Sequence, residues 1–180
     1  MKINAPRTPG IGMFSDDIRD AVKGHVFYMD ELGFVNGAAD RGEELKQAVT
    51  CAKWAKSPMQ SINYLSCHDN YTLWDRFIIS NSHESEEMRI RMNKLAAAIL
   101  FTAQGIPFFL HGEEFARTKI SEADGTPVEN SYCSPLSVNA IDYDRAEQFS
   151  DLKAYYKGLI ALRRAHKSCL LYTSDAADEE

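Results

Sequence analysis

The chain of 180 residues has no apolar run approaching the roughly 18–20 residues that a membrane-spanning helix needs. The longest, Leu95–Phe101, is broken in its extension toward Leu110 by Thr102, Gln104, Gly105 and Pro107, which excludes a membrane span. Basic residues are also short: 20 Lys and Arg stand against 26 Asp and Glu, a net charge of −6. That balance excludes a nucleic-acid surface, which requires clustered cations to neutralise phosphates. Cysteines occur only at 51, 67, 133 and 169, with no CxxC, so neither a zinc knuckle nor a thioredoxin-type motif is present. Wide spacing predicts free thiols and leans toward a reducing, cytoplasmic compartment. Met1–Gly10 has no apolar block of the secretory kind, although a signal upstream of it is left open. GxxxxGK[ST], GxGxxG and HExxH are missing as well. His83-Glu84-Ser85-Glu86-Glu87 comes nearest to the last and reads as the solvated opening of a helix.

What is there is an ordinary folding mixture, 44% hydrophobic and 26% charged, outside the disordered range. Pro9–Phe14 reads as a strand and Asp16–Lys23 as a helix, with Ile18, Ala21 and Val22 at helical spacing. Gly24–Gly42 is a loop excursion. Glu43–Lys56 reads as a helix closed by Pro58, Ile62–Cys67 as a buried strand, and Thr72–Ile79 as a short helix. Glu84–Gln104 has acids in its first turn, an i,i+4 Glu87–Arg91 pair and a stripe of Met88, Met92, Leu95, Ile99 and Ala103. Gly105 ends it. Ile106–Leu110 is a third strand, 118–141 a polar loop, and Leu152–Ala165 a last helix directing Leu152, Tyr155, Tyr156, Leu159, Ile160 and Leu162 inward. Strand and helix alternate three times, which argues for parallel βα units.

After Ser168 the character of the chain changes. Cys169–Glu179 resembles the translation of a transposon-end adapter, so 169–180 is expected to be a non-native tail. It holds four acids and no bases; residues 1–168 alone carry 22 acids and 20 bases.

Chemistry clusters after the second and third strands, as Ser66-Cys67-His68-Asp69-Asn70-Tyr71 and His111-Gly112-Glu113-Glu114-Phe115. In parallel βα folds the C-terminal strand ends are where side chains converge on substrate. A His-Asp pair emerging from an apolar strand is costly unless it is used or partnered, so His68 and Asp69 are functional candidates. Of the adjacent acids Glu113 and Glu114, one is expected in a structural salt bridge with Arg117 or Lys119.

The stretch Ile62-Asn63-Tyr64-Leu65-Ser66-Cys67-His68-Asp69-Asn70-Tyr71-Thr72-Leu73-Trp74-Asp75 resembles the last conserved region of the alpha-amylase superfamily, glycoside hydrolase family 13, in its type I pullulanase form. Phe14–Gly24, Gly105–Phe109, Gly112–Lys119, Glu129–Tyr132 and Tyr156–Arg163 agree with the same group. The resemblance implies an α/β fold: a partial (β/α)8 TIM barrel, with residues 1–168 supplying strands six to eight and their helices. It implies hydrolysis of alpha-1,6 linkages in pullulan, starch and glycogen with retention of configuration. Asp69 is then the transition-state stabiliser, His68 a contact to the scissile sugar, Asn70 a neighbour of the same site, and Asn130 and Tyr132 lie near the substrate groove. Tyr71, Trp74 and Tyr132 are candidates for stacking on sugar faces. Alpha-glucan is the implied partner, no cofactor is implied, and calcium is left open. The sequence departs from the pattern at Cys133, Leu136 and Lys167, where Asn, Asp and Pro are usual.

A retaining glycosidase needs two further carboxylates, about 5–5.5 Å apart. In this family the nucleophile and the general acid lie on strands four and five, outside this chain, so the chain alone is expected to be inactive. Three other readings stand beside this one. They are an isoamylase-type glycogen debranching enzyme, a non-catalytic glucan-binding module, and a metal-dependent hydrolase with His68, Asp69, His111 and Glu113 as ligands.

Overall fold

The computed structural model describes residues 2–8 and 10–166, so the expected tail at 169–180 lies outside the described residues. Three short strands, β1 (Met13–Ser15), β2 (Ser61–Asn63) and β3 (Ile106–Pro107), form a parallel sheet in the order β1-β2-β3. Parallel neighbours need a crossover between them. The first contains α1 (Asp16–Lys23) and α2 (Gly42–Thr50), and the second α3 (Leu73–Ser80) and α4 (Glu86–Thr102). After β3 come α5 (Leu136–Asn139), α6 (Asp144–Gln148) and α7 (Ser150–Ala165). The chain is thus α/β, and no described helix is long and apolar enough to cross a membrane.

The register explains which face is covered. Phe14, Ile62 and Ile106 are aligned across the three strands, as are Ser15, Asn63 and Pro107. Alternation puts these two rows on opposite faces. Ser15 and Asn63 are sealed under the helices, where the Asn63 amide donates to the Gln104 carbonyl at 2.6 Å. Phe14, Ile106 and Phe108 remain more than a third exposed, and Phe14 meets the rings of Tyr64 and Phe108 edge-on at 4.8 and 5.2 Å. Ladder pairing ends early, because Pro107 has no N–H and the Phe108 amide makes the next bond, to Asn63 O at 2.7 Å.

Behind the sheet lies a core of Ile18, Val22, Leu65, Leu73, Trp74, Phe77, Ala96, Ala97, Leu100, Phe101, Leu152 and Tyr156. Trp74, a stacking candidate on sequence grounds, is buried in it against Phe149. The helix starts are capped as their residues predict, Ser85 accepting from Met88 N and Thr72 from Asp75 N. The excursion 24–42 is held by the buried Arg76, whose guanidinium reaches the carbonyls of Lys23, Tyr28 and Glu31. Gly24 sits at φ 89°, where a Cβ would fall 2.1 Å from Glu31 O, so only glycine fits that turn.

The strands expected at Ile62–Cys67 and Ile106–Leu110 shorten to β2 and β3, and three further expectations change. First, α2 stops at Thr50 instead of Lys56, because the amides beyond it find side-chain partners: Lys53 N bonds Asp17 and Lys56 N bonds the Gln60 side chain. Second, the buried face of α4 is Met92, Asn93, Ala96, Ala97, Leu100 and Phe101, while Met88 and Leu95 are exposed. The face is turned because α7 packs against α4, with the Tyr156 hydroxyl 2.8 Å from Asn93 Oδ1. Tyr155 and Leu162 of α7 correspondingly face outward. Third, the expected loop 118–141 contains α5 and an antiparallel bridge between Ile120 and Pro127.

Arg163 on α7 is buried and donates to the carbonyls of Phe101, Ala103 and Gly105, between 2.6 and 2.8 Å. It supplies the missing donors at the C-terminal end of α4, where a cation also suits the helix dipole. Arg163→Met should therefore lower the unfolding free energy by about 2–3 kcal/mol, since charged hydrogen bonds are lost and carbonyls are left unpaired. Urea denaturation of the two proteins measures this.

Candidate functional site

The central strand β2 leads into the His68-Asp69 pair. His68 Nε2 lies 3.4 Å from Asp69 Oδ1, and their side chains are 79% and 58% exposed, so both are free to meet a ligand. Asn70 then turns the chain with φ 59°, a left-handed conformation that asparagine tolerates better than most residues. Its backbone N–H donates to Asn130 Oδ1 at 2.7 Å, and its side chain reaches Glu129 at 3.4 Å. Asn130 is itself left-handed, at φ 51°. Two strained asparagines thus lock the loop after β2 to the loop after β3. Tyr132 stands 75% exposed beside them. Tyr71 is partly covered, and burial raises its phenol pKa.

The second loop is anchored from below. Lys119 Nζ donates to Ser131 Oγ at 2.6 Å, and Ser131 Oγ donates to Asn139 Oδ1 at 2.8 Å. The Lys119 amide and the Thr118 hydroxyl both donate to the Asp75 carboxylate on α3. Burial raises the Asp75 pKa, and those hydrogen bonds oppose the shift.

Glu113 does not make the expected salt bridge with Arg117 or Lys119. Its carboxylate is buried, hydrogen-bonded to Ser66 Oγ and 3.3 Å from the Tyr156 hydroxyl. Glu114 instead accepts from the Gly112 amide of its own turn. Arg117 is used on the carbonyls of His111 and Asn139. Burial pushes the Glu113 carboxyl up to about 7, against the pull of Ser66 and Lys23. Lys23, also buried, is pushed down to about 8 by its burial and by neighbouring Arg19. Residues at 23, 66, 113 and 156 lie too far apart in sequence for any local pattern to join them.

The four-ligand arrangement of His68, Asp69, His111 and Glu113 is not formed, because Glu113 is committed to Ser66 and His111 packs near the rings of Phe115 and Tyr143. Among the described residues the group able to hold a metal ion is Cys67, His68 and Asp69, whose ligand atoms lie within 4.8 Å of one another. Cys51, Cys67 and Cys133 are free thiols.

No family model matches the chain. A pullulanase of Bacillus subtilis (strain 168) is 41% identical over 91% of the chain and 23% of its own length. The solved pullulanase of Paenibacillus barengoltzii, in complex with maltohexaose and alpha-cyclodextrin, superimposes with a TM-score of 0.85 at 44% identity. That match covers 93% of this chain and 26% of the other. The pullulanase of Anoxybacillus sp. LM18-11 complexed with maltotetraose gives 0.88 at 42%, over 94% and 24%. The chain spans about a quarter of the length of these relatives. An α/β chain that presents a His-Asp pair from its central parallel strand is here joined by sequence and backbone to one set of carbohydrate-active proteins. Over nearly its whole length it is similar, in sequence and in backbone, to one part of these pullulanases.

Two outcomes follow from this geometry. Asn130→Ala removes the acceptor for the Asn70 amide, and hydrogen exchange at Asn70 should quicken by about five- to tenfold, the equivalent of one net hydrogen bond; amide exchange by NMR reads it. Glu113 titrates higher in the fold than in the unfolded chain. Its contribution to stability is therefore complete below about 4.5 and fades as pH rises through about 7. Glu113→Gln should flatten that part of the stability–pH curve, as urea unfolding across the range would reveal.

Proposed function

We propose that this chain is part of a debranching glycoside hydrolase that cleaves alpha-1,6-glucosidic linkages in pullulan, starch or glycogen with retention of configuration. In this reading residues 1–168 are strands six, seven and eight of a (β/α)8 barrel with their helices, and 169–180 is an adapter-derived tail. Two features support the barrel. The three strands are parallel and adjacent in chain order, and their apolar face, carrying Phe14, Ile106 and Phe108, is left half-exposed while helices cover the other. That is the state of a sheet whose inner face awaits the remaining strands.

The observation that carries the functional reading is the exposed His68-Asp69 pair a few residues beyond the C-terminal end of the central strand, on a loop cross-braced by Asn70 and Asn130. Glycoside cleavage passes through an oxocarbenium-like state, in which contacts to ring hydroxyls strengthen. Asp69 is assigned as the carboxylate that stabilises this state, and His68 as a donor to the same sugar. Asn130, with its carbonyl oxygen held by the Asn70 amide, keeps the Asp69 loop in place, and Tyr132 offers an open ring face to the glucan. The nucleophile and the general acid come from outside this chain.

The test is a chimera in which residues 10–166 replace the matching segment of the Bacillus subtilis pullulanase. It should hydrolyse pullulan, and Asp69→Asn within it should lower kcat by about 10²–10⁴ with little change in KM, as expected for a group acting on transition-state charge. Turnover unaffected by that substitution would remove Asp69 from the reaction. The 180-residue chain on its own should release no reducing sugar.

A further inference from the structure

We propose that Cys67, His68 and Asp69 together form a zinc site at the mouth of the candidate active site. Three consecutive residues rarely chelate one ion, because in extended chain their side chains alternate between faces. Here the ladder ends at Asn63 and the chain curls toward the left-handed Asn70, so thiol, imidazole and carboxylate converge. Their donor atoms lie within 4.8 Å of one another. The Cys67 thiol is 3.9 Å from the Asp69 carbonyl oxygen, and His68 Nε2 is 3.4 Å from Asp69 Oδ1.

Zinc bound at about 2.0–2.3 Å by S, N and O donors in tetrahedral geometry holds them roughly 3–4 Å apart. The three side chains need move only about 1–2 Å relative to one another to reach that spacing. The backbone beneath them is already braced by the hydrogen bond from Asn70 to Asn130. A thiolate among the ligands selects zinc over calcium or magnesium, which take oxygen donors. Binding displaces the thiol proton to solvent, so affinity rises with pH. Three protein ligands leave the fourth position to water.

Zinc held there engages the two side chains that the proposed reaction needs for sugar, and it is therefore inhibitory. This consequence rests on the glucan reading, whereas the binding does not. The experiment titrates the reduced 180-residue chain with Co2+, follows thiolate-to-metal charge-transfer absorbance, and then displaces Co2+ with Zn2+. One Co2+ per chain is expected. The band should vanish in Cys67→Ser, the affinity should fall at least tenfold in His68→Ala, and Cys51→Ser and Cys133→Ser should leave both unchanged. No charge-transfer band, a band that survives Cys67→Ser, or undiminished affinity in His68→Ala overturns the proposal. Because no glucan enters the titration, its result is independent of whether the chimera hydrolyses pullulan.

Discussion

The Asp75 carboxylate, buried near the start of α3, accepts hydrogen bonds from the Thr118 hydroxyl and the Lys119 amide. The two loops that carry the candidate site are joined at this contact. Through α3 it belongs to the loop that follows β2, and through 118–119 to the loop that follows β3. Lys119 then carries the connection to Ser131, next to Asn130, whose side chain returns to Asn70. The circuit closes beside Asp69. A carboxylate is well suited to the junction, since it accepts several bonds at once and, when buried, is costly to leave unpaired. Rigid support matters because a group that acts on transition-state charge must already be in position when the charge develops.

A second buried network lies beneath the first and has a different character. Glu113, Ser66, Tyr156 and Asn93 link the end of β2 to the helix layer, with Lys23 close enough to influence Glu113. Burial here pushes an acid up and an amine down, toward one another, so both charges are weakened near neutral pH. Such groups invite a catalytic interpretation. Their positions argue otherwise: Glu113 is sealed behind the strand, whereas His68 and Asp69 face solvent. The perturbed pair braces the fold from within; the exposed pair is the one a ligand can reach.

The exposed face of the sheet and the covered one differ in kind. Helices cover Ser15, Ser61 and Asn63, polar side chains that are almost completely buried, while the apolar row of Phe14, Ile106 and Phe108 is the more open one. This inversion is unfavourable for a three-stranded sheet in isolation and natural for one whose inner face packs against further strands. It accords with a chain that spans about a quarter of the pullulanases it matches.

Much of this was legible in the residues themselves. The helices Asp16–Lys23 and Leu152–Ala165, the cap at Ser85 and the parallel order of three βα units follow from apolar spacing and capping chemistry, which act over a few neighbouring residues. The His68-Asp69 pair stood out for the same local reason, as ionisable residues ending an apolar strand. What the residues could not disclose were contacts between distant positions. The end of α2 at Thr50 was set in part by Asp17 accepting from the Lys53 amide, and the inward face of α4 by Tyr156 reaching Asn93. The partner of Glu113 proved to be Ser66, and the partner of Asn70 proved to be Asn130. A side chain's preference for helix, turn or burial is written along the chain, but the identity of a hydrogen-bond partner some 40 to 60 residues away depends on which surfaces the folded backbone brings within 3 Å.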